Sequence, residues 1–273
     1  LDMVQRQTLA YFWEFGHPTS GMARERSNQP YDYDCMETVT SGGTGFGVMA
    51  MLAGASRGLL PRDAVRDRIR RIVAFLGKAE TYHGVFPHFL HGATGATIPF
   101  SEKDDGGDLV ETSFLMMGLL CARQYFAGIA SEEASLREAI DGLWQAIEWD
   151  WHTQGGRDVL YWHWSPRHGW AMNHAITGWN ECLITYVLAA ASPRHPVAPA
   201  AYHRGWTDSP VFRNGRTHHG IELPLGPPQG GPLFFSHYAF LGLDPRGLRD
   251  RYADYWQQNR AHTLINRAHC IAN

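Results

Sequence analysis

Apolar residues at offsets 0, 4, 7, 8 and 11 recur four times along the 273 residues, and this spacing traces one stripe of an α-helix. The copies are Val65, Ile69, Ile72, Val73, Leu76 and Leu136, Ile140, Leu143, Trp144, Ile147, with Ser131 placed as an N-cap before Glu132 and Glu133. Val4, Thr8, Tyr11, Phe12, Phe15 and Leu248, Tyr252, Tyr255, Trp256, Asn259 repeat the spacing with one polar member each. Such one-sided helices belong to an outer layer. Between them lie segments that are apolar or small on every face: Thr44 to Ser56, Leu109 to Phe126, Trp179 to Ala191 and the shorter Leu233 to Leu241. A helix buried all round is an inner helix. Alternation of the two kinds, with a period of roughly 55 to 70 residues, predicts an all-α fold of helical hairpins wrapped into a two-layer barrel or toroid. Counted from Leu1, a six-pair barrel would lack its last three helices, so the barrel is expected to be truncated at Asn273.

No linker separates two halves of different composition, which predicts a single domain over residues 1–273. With 44% hydrophobic and 19% charged residues the chain has material for a core and too little charge for disorder. A formal charge of -3 offers no basic face for phosphates, so nucleic acid is set aside as a partner. Leu183 to Ala191, the longest apolar stretch, is well short of the roughly 20 residues a membrane span needs. Cys35, Cys121, Cys182 and Cys270 are far apart and form no CxxC pair, so they do not indicate a redox compartment. The chain opens on Leu1 without an initiator Met, which leaves room for a removed export segment; a periplasmic or extracellular location is expected.

Links that follow inner segments are short, as in Arg57 to Pro61. Those that follow outer segments are long and rich in Gly, aromatic and polar residues: His17 to Ser41, Glu80 to Gly107, Thr153 to Gly178, and Thr207 to Gly231. Long loops gathered at one end of a rigid scaffold are where binding sites are built. At that end, Asp108 and Glu111 share one face of a first helical turn, a spacing that also serves a capping box. Glu181 stands at the corresponding start of the next inner segment. Carboxylates facing each other across a cleft suit glycoside hydrolysis, one protonating the leaving oxygen while another activates water or attacks the anomeric carbon.

Tyr161, Trp162, Trp164 and Trp170 lie in one loop, with Trp179 just beyond; their rings could stack on pyranoses or pack as one face of a short hairpin. Of the fifteen histidines, His83, His88, His91 and the His218-His219 pair match no recognised zinc spacing, so no metal or other cofactor is expected. Gly42 to Gly47 lacks the GK[ST] ending of a phosphate loop, and close helix packing explains its glycines better. Arg24-Glu25-Arg26 could bind hydroxyls or form loop salt bridges.

At these residues the chain resembles a bacterial family, the putative glucoamylase group that includes endo-β-1,2-glucanases and the hydrolase-like domain of cyclic β-1,2-glucan synthases. The resemblance is carried by Phe12-Trp13-Glu14-Phe15, Gly21 to Ser27, Gly42 to Gly47, Gly107 to Thr112, Trp179-Asn180-Glu181, and Phe235 to Tyr238 with Asp244 to Gly247. It implies an (α/α)6 barrel that continues past the end of this chain, and places the acids important for activity at Asp108, Glu111 and Glu181. Glu181 is expected as general acid, with Asp108 and Glu111 shaping the cleft or positioning water. A further base is expected from helices beyond Asn273. Arg26, Asp105, His88, Trp164, Trp179, His237 and Tyr238 are the positions expected to contact sugar. The implied activity is endo-hydrolysis of β-1,2-glucan; an exo-acting or transglycosylating enzyme and a non-catalytic glucan-binding module are the alternatives.

Overall fold

The computed structural model describes residues 1–27 and 36–273; Cys35 lies outside them. The chain is helix-rich with a few short strands. In order, α1 (Asp2–Trp13), β1 (Thr38–Thr40), α2 (Ser41–Ser56) and α3 (Arg62–Leu76) are followed by β2 (Phe89–His91), β3 (Thr97–Ile98) and β4 (Gly107–Asp108). Then come α4 (Leu109–Tyr125), α5 (Ser131–Ala146), β5 (His163–Trp164) and α6 (Leu183–Ala191). The chain ends with the hairpin β6 (Arg213–His218) and β7 (Ile221–Leu225), then α7 (Phe234–His237) and α8 (Tyr255–Ala272).

The apolar stripe of α3 is buried at all five positions. In α5, Leu136 and Ile140 are buried while Leu143 and Trp144 pack at the core's edge. Ser131 does not cap α5: Ala130 holds that place, and the Ser131 hydroxyl donates to Glu132 instead. Helix α1 is rotated from the expected stripe. Val4 and Thr8 face solvent, the Thr8 hydroxyl donating back to the Val4 carbonyl, and Leu9 and Trp13 meet the core.

Helix α2 packs on α1, α3 and α4, while α4 also meets α5 and α6, so that α2, α4 and α6 form an inner layer covered by α1, α3 and α5. Inner helices α2 and α4 touch backbone to backbone. A Cβ built at Gly45 would lie 2.6 Å from the Phe114 carbonyl carbon, and one at Gly118 would lie 2.8 Å from that of Gly45. Only glycine tolerates such an approach. Small residues thus place the N-termini of α2 and α4 side by side.

Three expected elements are shorter than their sequence patterns. Helix α6 begins at Leu183, not Trp179, because Asn180 Oδ1 accepts the Cys182 N–H at 3.0 Å and holds the entry as a turn. The stripe from Leu248 breaks before α8: the Asp250 carboxylate accepts the N–H groups of Tyr252 and Ala253, and Asp254 then caps the helix through Gln257 N. The inner segment Leu233 to Leu241 divides into α7 and a 3-10 turn at Ala239–Leu241, with only Ser236 and Ala239 buried.

The long loops carry the sheets. Strands β1, β2 and β3 form an antiparallel sheet in that order, pairing Val39 with Leu90 and Leu90 with Thr97. Strand β4 pairs with β5, setting Gly107 opposite Trp164 and Asp108 opposite His163. Among the described residues, no helix is long and apolar enough to cross a membrane.

Candidate active site

Strand β4 runs directly into α4, so Asp108 closes the strand and caps the helix. Its Oδ1 accepts the N–H of Val110 at 3.0 Å and of Glu111 at 2.9 Å. Its Oδ2 lies 3.1 Å from His88 Nδ1 and 3.6 Å from His163 Nε2. Nε2 of His163 is also 3.2 Å from Asp104 Oδ2, which makes one chain of alternating imidazoles and carboxylates. His88 is fixed from two sides: Ser41 takes the carbonyls of Pro87 and His88, and Thr112 bonds both backbone groups of Phe86.

Glu111 does not reach back to complete a capping box. Its Oε2 instead accepts the N–H of Gly42, at 3.1 Å, from the first turn of α2. Glu181 stands in the turn before α6, and its field reaches Glu111; the phenol of Tyr238 is raised by burial and by the charges of these two acids. Helix α4, the entry to α6 and the end of α7 therefore bring Glu111, Glu181 and Tyr238 within reach of one another's charge, with the Tyr238 ring 5.7 Å from Phe114 of α4.

Electrostatics separate the acids into two kinds. Burial opposes ionisation of Asp108, but hydrogen bonds from His163 and His88 overcome it and hold Asp108 below the usual carboxylate range. Burial also disfavours a charge on His88, yet its bond to Asp108 and that anion's field raise its pKa to about 9. His163 is raised in the same way. The other acids go up. Burial and then the Asp108 charge lift Asp104 to about 6 and Glu111 to about 7, and burial raises Glu181. Carboxyls whose pKa values are raised, beside one that stays ionised, are what acid/base chemistry requires.

His88, Asp104 and Asp108 offer donor atoms within 4.8 Å of one another. The oxygens of Asp108 are already taken by two backbone N–H groups and two imidazoles, so a hydrogen-bonded network accounts for the cluster.

The residues expected to act or to contact sugar stand in different surroundings. Asp108, expected among the acids important for activity, is fully buried with both oxygens engaged by backbone N–H groups and imidazoles. Trp179 is 2% exposed and stacks on Tyr255 inside the core, where Trp206 and Phe212 surround it. His237 turns to Thr263 of α8, 2.9 Å from its hydroxyl, in an apolar groove with Trp256 and Leu264 and away from the acids. Arg26 pairs with Glu25, and Asp105 is buried against Arg167. Trp164 packs near Tyr82, His83 and Trp151. His88 lies against Asp108, and Glu111 and Glu181 act electrostatically on each other and on Tyr238. Asp104 and His163 were not singled out by the sequence. The Asp104-Asp105-Gly106-Gly107-Asp108 run held the signal for Asp104, but the pairing that brings in His163 depends on two-residue strands.

The sequence pattern of the family described as putative glucoamylase matches residues 173–273, and a family described as of unknown function matches residues 4–107. The whole chain aligns at 44% identity with an exo β-1,2-glucooligosaccharide sophorohydrolase (non-reducing end) of Parabacteroides distasonis, covering 40% of that protein. A putative glucoamylase from Bacteroides uniformis superposes on the whole chain with a TM-score of 0.95 at 54% identity, with 66% of its own chain covered. An endo-β-1,2-glucanase from Chitinophaga pinensis, solved with sophorotriose and glucose, gives 0.95 at 52% identity and the same coverage. The chain thus spans less than two thirds of the length of these relatives.

Proposed function

Since this chain belongs to the bacterial putative glucoamylase family, whose relatives include β-1,2-glucan hydrolases, we propose that it cleaves β-1,2-glucan by carboxylate acid/base catalysis. The observation that carries this is the meeting of Glu111 and Glu181, whose carboxyl pKa values burial raises, beside an Asp108 held ionised by two imidazoles. Glu181 protonates the departing glycosidic oxygen. Asp104, poised near pH 6 and bonded to His163, is the carboxylate best suited to take a proton from water, and Glu111 orients the sugar or that water through a hydroxyl. Identity is higher to the endo-acting relative, at 52%, than to the exo-acting one, at 44%, which favours cleavage within the chain. The two layers described above we take as part of an (α/α)6 barrel, with residues 1–273 in one domain.

Chromatography of products from linear β-1,2-glucan and from starch, using the protein and its Glu181→Gln variant, tests this. Short β-1,2-linked oligosaccharides of mixed length from the parent alone support substrate, acid and endo action. A single disaccharide product would move the assignment to exo action. No products from β-1,2-glucan would refute the substrate, and an undiminished variant would refute the acid.

A further inference from the structure

The aromatic loop that the acid site does not use gathers on the other side of the β4–β5 ribbon. Side chains alternate along a strand, so His163 turns to Asp104 and Asp108 while its neighbour Trp164 turns away from them. There Trp164 meets the imidazole edge of His83 at 5.2 Å and Trp151 at 6.2 Å, and Trp170 lies 6.3 Å from Trp151. The His83 ring lies flat on Trp151, centroids 3.8 Å apart and planes within 15°, with its Nδ1 held 2.8 Å from Glu148. Trp151 is still 39% exposed.

Backbone strain marks the same place. Four non-glycine residues among those described have positive φ, and three of them, His83, Gln154 and Asn173, flank these rings. Such conformations cost energy and persist where the surroundings impose them, often at binding sites. Gln154 follows Trp151 closely and its amide donates to Asn173, whose N–H bonds the Trp170 carbonyl. The result is a rigid, partly exposed aromatic shelf edged by amide and carboxylate groups. Neutral, hydroxyl-rich rings with one apolar face are the ligands that combination fits.

We propose that Trp151, Trp164 and Trp170, backed by His83, form a second sugar-binding platform that holds pyranose units of a glucan chain away from the carboxylates. That the glucan is β-1,2-linked rests on the function proposed above. The platform does not carry the chemistry; it raises the residence of long chains on the protein.

The test uses native gels cast with β-1,2-glucan, with a β-1,3-glucan or without polymer, and the Glu181→Gln protein with and without Trp151→Ala or Trp151→Phe. Trp151→Ala is expected to weaken retention about three- to tenfold, the usual weight of one stacking contact, whereas Trp151→Phe keeps most of it. In the parent background, Trp151→Ala leaves the hydrolysis rate of a short β-1,2-glucooligosaccharide unchanged. Equal retention with and without Trp151→Ala, no retention by any glucan, or a parallel loss of short-substrate hydrolysis would each overturn the platform. Retention that depends on Trp151 but occurs only on the β-1,3-glucan would leave the platform standing and overturn β-1,2-glucan as its ligand, while hydrolysis of the short β-1,2-glucooligosaccharide by the parent reads the proposed function separately.

Discussion

Replacing Gly42 with alanine tests how closely the acid site depends on α2. A methyl group there would overlap Glu111 Oε2 and lie 2.9 Å from its carboxyl carbon and 3.4 Å from its Cα. The α4 backbone at that point is fixed by the glycine seam, so the carboxylate must move, its carbon by at least about half an ångström and its oxygen by more. That shift breaks the bond to Gly42 N, whose loss on a buried carboxylate costs about 1–3 kcal/mol, while alanine in a helix returns up to about 1 kcal/mol. Net destabilisation should stay near 2 kcal/mol or below. Activity is the more sensitive quantity, because displacing a positioned group by about 1 Å can cost about a hundredfold. Initial rates of reducing-end release from β-1,2-glucan, set beside urea unfolding, give both numbers. A Gly42→Ala protein within threefold of the parent rate would refute the role given to Glu111. Adding Glu111→Asp should relieve the overlap and restore the unfolding midpoint without restoring the rate.

His88 supplies a pH-dependent stability. Its pKa is about 9 in the fold against an ordinary 6.5, so its contribution is whole below pH 6.5 and is lost as pH rises through 9. The total is on the order of 3 kcal/mol, and urea unfolding at both ends of that window should show His88→Gln losing far less than the parent. Gly118→Ala would drive a methyl group into the Gly45 carbonyl, 2.8 Å from its carbon, and this backbone has no flexible end to yield; a loss of about 3 kcal/mol or more is expected in thermal unfolding. Trp179→Ala should cost about 3–5 kcal/mol as a core cavity, while Trp179→Phe leaves sugar binding by calorimetry unchanged.

Periodicity revealed the parts of this fold that periodicity governs. The stripe of α3 was readable residue by residue because a helix packed on one side must place its apolar groups at 3.6-residue intervals. The same pattern overran at Leu248 and Trp179, where Asp250 and Asn180 satisfy backbone groups locally and stop a helix from starting. The pair Asp108 and Glu111 was visible as a spacing, but not its division of labour. That division comes from burial and from partners as far away as Gly42 and His163, contacts that join segments dozens of residues apart. The tryptophans show the limit most clearly: Trp179 and Trp151 look alike in the chain, yet one fills the core and the other faces solvent.

The glycine seam between α2 and α4 also bears on how such a chain can diversify. Gly118 lies two helical turns from Glu111, yet a side chain there would wedge apart the helices whose contact gives Glu111 its Gly42 partner. On the function proposed above, drift at the seam would be penalised through catalysis as well as folding. The turn that carries Trp151 bears no such double burden, so a change in glucan preference would meet less resistance there than at the seam.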